Sequence, residues 1–365
     1  MSAFLQGKPI TRDVYVVPPK EMKKPNIIWK LKKAVYGLSD AAKSWYESVV
    51  TEMLRLGCEK SKYEPAFYFY KDASKLHGLS VTHVDDFLDA GSEKFEKDIL
   101  ENVTKTFMIG SESEKEFRYI GINLTQNQEG VILDQAHYPE GMSMHEFTAD
   151  RKKEADENLT EKELKEYRKI VGSLNWVATT SRPDLCFEVV ELSTHFKNAT
   201  VRDMLAANKA VRKLQTHDYK ILFPSLVLDD ELRIVLYSDS AYKNLNDKVG
   251  TCAGYVVFVV DKNHRSCPIS WSSKKLQRVV NSTMAAETLG LVNGIEDAIY
   301  LQAILHEVFC ELPLSIECFV DNKDLVDAVH STRLVEDKLT RLSIAAIKEH
   351  LDKKEILHVT HIPGV

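Results

Sequence analysis

The hydrophobic pattern of residues 231–365 alternates between strand and helix periodicity in a fixed order. Short apolar runs come first, a long stripe at helical spacing follows, and shorter strands and helices complete the segment. The predicted elements are strands at 232–237, 252–260 and 269–272, a helix at about 282–308, a strand at 314–320, helices from about 322 and 338, and a strand near 355–361. This β-β-β-α-β-α-α-β order predicts a mixed sheet flanked by helices.

The middle of the chain has helical periodicity. Residues 150–160 are charged and poor in apolar side chains, which predicts a linker. Thr160, with Glu163 three residues later, forms a capping-box sequence that predicts the start of a helix. Pro183 ends that pattern, and two further helices are expected before residue 217.

The first third has a mixed α/β pattern. Residues 26–36 resemble a strand closed by Gly37, and Ser39 is expected to cap a helix that runs to about residue 56. Strands are then predicted at 63–70 and 78–84. The second strand leads directly into Asp85 and Asp86, and a polar pair between two apolar strands predicts a hairpin turn.

Composition places the chain among ordinary globular proteins. It has 365 residues, of which 44% are hydrophobic and 28% charged, and its net charge is −6. No apolar run reaches the roughly 18 residues that a membrane span needs, and the start has no signal-peptide pattern. The six scattered cysteines form no CxxC pair and are expected to be reduced core residues. An intracellular protein without a membrane partner is therefore predicted.

A basic cluster lies near the start of the chain. Its members are Lys20, Lys23, Lys24, Lys30, Lys32 and Lys33, interleaved with Trp29 and Tyr36. Such a cluster is either a solvated face or a surface that follows a phosphate backbone. The charge pattern alone leaves both interpretations open.

Three acidic residues of the last third occupy unusual places. Asp239 and Asp321 follow apolar strands, and Glu287 shares a helical stripe with core-type residues. An ionised carboxylate on such a stripe is costly unless it is paired or ligated. Two strand-end aspartates and a helix-borne glutamate can together hold hard divalent cations that activate water against a phosphodiester. Taken singly, each could instead be a turn or helix-cap residue.

Four sequence blocks around these acids resemble the ribonuclease H domain of copia-type retrotransposons. The blocks are 237–241 (YSDSA), 270–275 (SWSSKK), 282–288 (STMAAET) and 320–325 (VDNKDL). The resemblance implies that Asp239, Glu287 and Asp321 are catalytic, metal-binding carboxylates that cleave the RNA strand of RNA–DNA hybrids. The family pattern continues into a helix with a fourth Asp beyond Val365. Without that ligand, one metal site is expected to be under-coordinated.

The first third resembles copia-type reverse transcriptases. The blocks that carry the resemblance are 29–38 (WKLKKAVYGL), 83–86 (HVDD) and 119–122 (YIGI), and in the middle of the chain 181–185 (SRPDL) resembles the family's connection to ribonuclease H. The resemblance implies that Asp85 and Asp86 are catalytic metal ligands. It also implies that Lys30, Lys32, Lys33, Tyr36, Gly37, Tyr119 and Gly121 bind nucleic acid.

Three departures from the reverse transcriptase pattern stand out. His83 replaces the usual Tyr, and Ser39-Asp40 replaces a common Lys-Gln. The family's first catalytic Asp would lie just before Met1. Two-metal nucleotidyl transfer needs that carboxylate, so polymerisation by this chain is not expected.

The resemblance covers essentially the whole chain and implies three domains. These are a partial reverse-transcriptase palm at 1–149, a helical thumb or connection at 150–230 and a ribonuclease H-like domain at 231–365, giving an α+β or mixed α/β fold. Mg²⁺ or Mn²⁺ is the expected cofactor. RNA–DNA hybrid, DNA primer, RNA template and other parts of the retrotransposon polyprotein are the expected partners. The alternatives are a catalytically inactive nucleic-acid-binding protein and a purely structural interaction protein with incidental acids.

Overall fold

The computed structural model describes residues 3–22, 24, 26–73, 75–242, 250–332 and 334–363. The chain divides into two compact units. The first contains residues up to 114 together with 307–310, and the second contains 115–306 together with 311–365. The predicted domain boundaries at 149/150 and 230/231 stay a prediction.

The first unit combines helices with an antiparallel sheet. Its strands are β1 (Tyr15–Val16), β2 (Trp29–Lys30), β3 (Glu59–Lys60), β4 (Phe67–Asp72), β5 (Lys75–His83) and β6 (Asp86–Gly91). Its helices are α1 (Ala3–Gln6), α2 (Ala41–Arg55), α3 (Glu93–Phe95), a π-helical segment (Glu96–Leu100) and α4 (Glu101–Thr106). Strands β3 to β6 pair in chain order, and buried side chains of α2 and of residues 95–107 share one core.

Two details of the first unit differ from the sequence predictions. The strand expected at 26–36 is confined to Trp29–Lys30, which pairs with β1. The residue before α2 is Asp40 rather than Ser39, and its side chain makes no cap hydrogen bond. Asp40 instead accepts two hydrogen bonds from Arg12, at 2.8 and 2.9 Å. A long-range ion pair has therefore replaced a local cap.

The second unit holds two sheets and a group of helices. Its strands are β7 (Glu116–Tyr119), β8 (Ile122–Gln126), β9 (Gly130–Asp134), β10 (Ile221–Pro224), β11 (Arg233–Ala241), β12 (Cys252–Val260), β13 (Ser266–Lys275), β14 (Ser315–Val320) and β15 (His358–His361). Its helices are α5 (Ala149–Lys153), α6 (Glu161–Thr180), α7 (Cys186–Thr194), α8 (Val201–Thr216), α9 (Thr283–Val308, except its last two residues), α10 (Lys323–His330) and α11 (Lys338–Asp352).

The larger sheet has the strand order β13-β12-β11-β14-β15. Strands β11, β12 and β13 pair antiparallel, whereas β14 and β15 run parallel to β11. Strands and helices follow each other as β-β-β-α-β-α-α-β, as the hydrophobic pattern predicts. Buried apolar side chains of the sheet and of α9, α10 and α11 form one core. The mixed α+β class is confirmed.

The smaller sheet and the middle helices depend on long-range pairing. Strand β10 pairs antiparallel with β9, although about 90 residues separate them. Helices α6, α7 and α8 share a buried core. The Thr160–Glu163 capping box is present, but α5 overlaps the segment 150–160 that was predicted to be a linker.

The described part of the chain contains no helix with both the length and the apolar character needed to cross a membrane. All six cysteines are free thiols, four of them buried.

Candidate metal centre and aspartate turn

Asp239 and Asp321 meet because their strands are parallel neighbours. Ser238 on β11 pairs in register with Val320 on β14, so the residue after each lies at the same edge of the sheet. Asp239 is near the end of β11, and Asp321 immediately follows β14. Carboxyl ends of adjacent parallel strands are a common place for ligands in sheets flanked by helices.

Glu287 reaches the same edge from α9, where it lies in the first two turns. Its side chain is only 2% exposed, although it carries a carboxylate. Oε1 accepts a hydrogen bond of 3.0 Å from the backbone N–H of Ser240 on β11. Oε2 is buried and accepts none from the described residues. One oxygen is therefore fixed and the other is left for a ligand.

Two glycines let α9 approach the sheet closely. A Cβ atom at Gly290 would lie 2.6 Å from Ser240 Oγ, and one at Gly294 would lie 2.7 Å from a methyl of Leu236. Both distances are too short for real contacts. The glycines lie four residues apart and therefore share a helix face. This close packing brings Glu287 within reach of β11.

Ligand oxygens of Asp239, Glu287 and Asp321 all lie within 4.8 Å of one another. Burial, followed by the charges of Asp239 and Asp321, raises the pKa of Glu287 to about 8. A divalent cation would offset both causes, because it prefers oxygen ligands and neutralises neighbouring carboxylates. The oxygen donors and the orphaned Oε2 therefore fit a Mg²⁺ or Mn²⁺ ion.

Asp85 and Asp86 occupy the tip of the β5–β6 hairpin. His83 pairs with Asp86, so the two-residue turn is Val84–Asp85, and both aspartates are exposed. The predicted hairpin is confirmed, but its turn lies one residue earlier than the predicted Asp85–Asp86 pair, which makes Asp86 the first residue of β6. Among the described residues, Asp85 and Asp86 are not joined by a third acidic, histidine or cysteine ligand into a metal-holding group.

The basic segment of the first unit presents an exposed surface. Lys32, Lys33, Tyr36 and Gly37 are exposed, and Gly37 has a φ of +94° that favours glycine. Lys30 is exposed as well, and its ammonium lies 2.6 Å from an Asp13 carboxylate oxygen. Lys23 lies outside the described residues.

Tyr119 and Gly121 belong to the second unit, where they flank the β7–β8 turn. Tyr119 pairs with Ile122, which leaves Ile120 and Gly121 as the turn residues. Both have positive φ, at 49° and 75°. This conformation matches a type I′ hairpin turn.

Sequence reasoning did not single out several residues that shape these sites. Ser240 holds Glu287, Gly290 permits the approach of α9, and Trp45 contacts the Asp85–Asp86 hairpin. The two glycines four residues apart on the predicted helix are a sequence feature that indicates close packing of that helix. The roles of Ser240 and Trp45 depend on tertiary contacts that no local pattern contains.

Comparison with known proteins shows which proteins this chain resembles. The family described as reverse transcriptase (RNA-dependent DNA polymerase) matches residues 1–150. The retrovirus-related Pol polyprotein from transposon RE2 of Arabidopsis thaliana is 28% identical over 383 residues, which cover 99% of this chain. Residues 1–150 thus match the reverse transcriptase family, and nearly the whole chain is similar to copia-type retrotransposon Pol polyproteins. The chain spans about a quarter of the length of that plant relative.

Another relative is the Ty5-1 transposon protein of Saccharomyces cerevisiae, which is 25% identical. The match covers 76% of this chain and 92% of the yeast protein. Among solved structures, LC11-RNase H1 in complex with RNA/DNA hybrid covers 36% of this chain and 86% of its own, at 19% identity and a TM-score of 0.28. The match to prototype foamy virus protease-reverse transcriptase covers 93% of this chain and 60% of the viral protein, at 10% identity and a TM-score of 0.27. Both TM-scores are too low for these structures to support a conclusion about this chain.

Proposed function

We propose that this chain cleaves the RNA strand of RNA–DNA hybrids at Asp239, Glu287 and Asp321. The observation that carries the proposal is the convergence of three carboxylates within 4.8 Å, one of them buried with an orphaned oxygen. Like-charged groups this close are costly unless a cation joins them. Reverse transcriptases and ribonucleases H generally depend on divalent metals, which supports Mg²⁺ or Mn²⁺ here.

When bound, the cations would polarise a phosphodiester and lower the pKa of an attacking water. The protein's own contribution is to hold the ligands in place. The Ser240 N–H fixes Glu287 Oε1, and adjacent parallel strands fix the spacing of Asp239 and Asp321. Such pre-organised geometry is what catalysis by bound cations requires of a protein.

A groove beside the carboxylates suits the backbone of the nucleic-acid substrate. It has a volume of about 750 Å³ and is lined by β13 and the ends of α6 and α7. Its polar lining includes Asn175, Thr179, Ser193, Thr194, Lys274 and Lys275. On β13, Ser273 pairs with Gly254 of β12, which in turn pairs with Asp239 of β11. Ser273 therefore lies two strand spacings, or about 10 Å, from Asp239. Hydroxyl, amide and ammonium groups are the usual partners of phosphate oxygens.

In the first unit, we propose that Asp85 and Asp86 bind a divalent cation and that Lys30, Lys32, Lys33, Tyr36 and Gly37 contact primer and template. Exposure of the turn and of most of the basic segment supports this role. Tyr119 and Gly121 are proposed contacts in the second unit. RNA-directed DNA synthesis is the family chemistry to which these contacts would belong, and we propose them as binding contacts rather than as a polymerase activity of this chain. Because the described residues supply a three-carboxylate cluster only around Glu287, the nuclease is the better supported activity.

The nuclease proposal is tested with Asp239→Asn. We expect the full chain, supplied with Mg²⁺ or Mn²⁺, to cut the labelled RNA strand of a hybrid. The substitution should lower the rate more than about a hundredfold, since loss of even an outer-shell partner costs 10- to 100-fold. Asp327→Asn is the matched control, because Asp327 is an exposed acid on α10.

Control and test separate real cleavage from contamination. The Asp327→Asn protein should cut the hybrid at the parent's rate and leave single-stranded RNA intact. Cleavage that survives Asp239→Asn at the parent's rate would mean that another nuclease, or another site, is responsible.

A further inference from the structure

The β5–β6 turn holds a valine in an unfavourable backbone conformation. Val84 has a φ of +56°, and its side chain is branched at Cβ. In a two-residue turn this first position is normally glycine, and a β-branched residue with positive φ is an outlier. Such strain persists only where surrounding contacts over-determine the conformation. Something else in the fold must therefore hold Val84.

A tryptophan from α2 makes a direct contact with that strained residue. The indole N–H of Trp45 donates a hydrogen bond to the backbone carbonyl of Val84. The carbonyl belongs to the peptide that joins Val84 to Asp85, so the bond fixes the peptide leading into the two aspartates. Val84 itself is 46% exposed, and its side chain has little packing to hold it.

Trp45 is itself firmly held. It is 4% exposed and belongs to the buried core of the first unit with Val49 and Met53 of the same helix. Its ring meets that of Phe107 edge to face, with centroids 4.9 Å apart. Because its packed surroundings leave Trp45 few accessible rotamers, the indole N–H stays in position to hold the turn.

We propose that Trp45 is a positioning residue that holds the Val84–Asp85 turn in the conformation in which Asp85 and Asp86 receive a divalent cation. The inference rests on the proposed metal role of these aspartates. Trp45 does not touch the metal or the nucleic acid in this account. It acts through one hydrogen bond, which compensates for the absence of glycine at position 84.

The test measures hydrogen exchange of the peptide that contains residues 83–88, in the full chain with and without Mg²⁺. Trp45→Phe keeps an aromatic ring in the core and removes the donor. We expect this variant's turn peptide to exchange roughly fivefold faster, the effect of losing one net hydrogen bond. Mg²⁺ should slow exchange of the turn in the parent and have little effect in the variant.

Two further variants separate positioning from packing. Trp271→Phe removes another indole N–H that donates to a backbone carbonyl, that of Ala178 at 2.9 Å, but in the second unit. It should leave the turn unchanged. Val84→Gly accepts positive φ without strain. In the Val84→Gly background, Trp45→Phe should therefore no longer alter exchange or the response to Mg²⁺, whereas a packing defect would persist.

The outcomes are distinct. Parent-like exchange of the turn in Trp45→Phe overturns the inference, and so does a defect that Val84→Gly fails to rescue. If Mg²⁺ does not slow exchange in the parent, the proposed metal role of Asp85 and Asp86 fails, and with it the inference that Trp45 serves that role. None of these outcomes bears on the nuclease proposal, which is tested by the hybrid-cleavage assay.

Discussion

At the scale of single residues, Glu287 ties the chemistry of the candidate metal centre to the stability of the metal-free fold. Its ordinary pKa is 4.5, and burial beside two aspartates raises it to about 8. Between these values the folded protein keeps a proton that the unfolded chain has released. The free energy of unfolding must therefore fall as the pH rises from about 4.5 to 8, and above 8 the contribution is lost.

Glu287→Gln should remove this pH dependence, because glutamine has no proton to lose. In EDTA, the parent should lose on the order of 3 kcal/mol more than Glu287→Gln between pH 5 and pH 8. Urea unfolding at several pH values, followed by circular dichroism, measures the difference.

A second measurement checks the cause. Adding Mg²⁺ at pH 8 should stabilise the parent and not Glu287→Gln, since the cation substitutes for the missing proton. If the free energy of unfolding changes with pH equally in the two proteins in EDTA, the pKa of Glu287 is not raised in the folded state. Repulsion among the three carboxylates would then not destabilise the metal-free fold.

The sequence predicted this residue well for a physical reason. Glu287 shares a helical stripe with Leu291, Ile295 and Ala298, and all four are buried. Periodicity alone places such a residue on the core face. Trp45 lies on the helix predicted to follow Ser39, and a helical pattern can indicate only that such a side chain is buried. Its hydrogen bond to Val84 joins residues 39 apart and has no local signature.

At the scale of elements, the start of α6 follows the side-chain chemistry of its capping box. Thr160 accepts from the Glu163 N–H, and the Glu163 carboxylate accepts from the Thr160 N–H at 2.7 Å. Arg151 also donates to Glu163, and this contact holds the pKa of Glu163 at about 2. The capping box is thus part of a charged network that anchors α5 to α6.

Thr160→Ala should destabilise the second unit by about 1 kcal/mol, the usual cost of losing a helix cap. The matched control is Thr179→Ala, because the Thr179 hydroxyl donates only to carbonyls of the preceding turn of α6, those of Asn175 and Trp176. The urea midpoint of each variant gives the comparison. Equal midpoints for the two variants would mean that the cap contributes nothing beyond the tertiary packing of α6.

Elements that rely on distant partners were harder to predict. Residues 26–36 alternate like a strand, yet only Trp29–Lys30 finds a partner, in the two-residue strand β1. Residues 149–153 lie in or beside the charged stretch expected to be a linker, yet they form α5, where Arg151 bonds Glu163. The order of strands and helices after residue 230 was predictable because each has a long apolar pattern of its own.

At the scale of the whole molecule, charge is unevenly arranged. The chain carries a net charge of −6, which argues against binding nucleic acid by overall attraction. The groove along β13 is different: its described lining residues include Lys274 and Lys275 and no acidic side chain. Under the proposed nuclease function, this groove would hold the backbone of the duplex while the scissile phosphate lies at the carboxylate cluster.

Replacing both groove lysines with glutamine should weaken hybrid binding and flatten its salt dependence. Each lost phosphate contact reduces the slope of log affinity against log salt by about one, so the double variant should lose about two. Fluorescence anisotropy in an Asp239→Asn background, which prevents cutting, measures both the affinity and its salt dependence.

The control is the double variant Lys162→Gln, Lys165→Gln, since these exposed lysines lie at the other end of α6. If the control flattens the slope as much as the groove variant does, the duplex follows general surface charge rather than the groove. A flattened slope for the groove variant alone would place the substrate's backbone along β13.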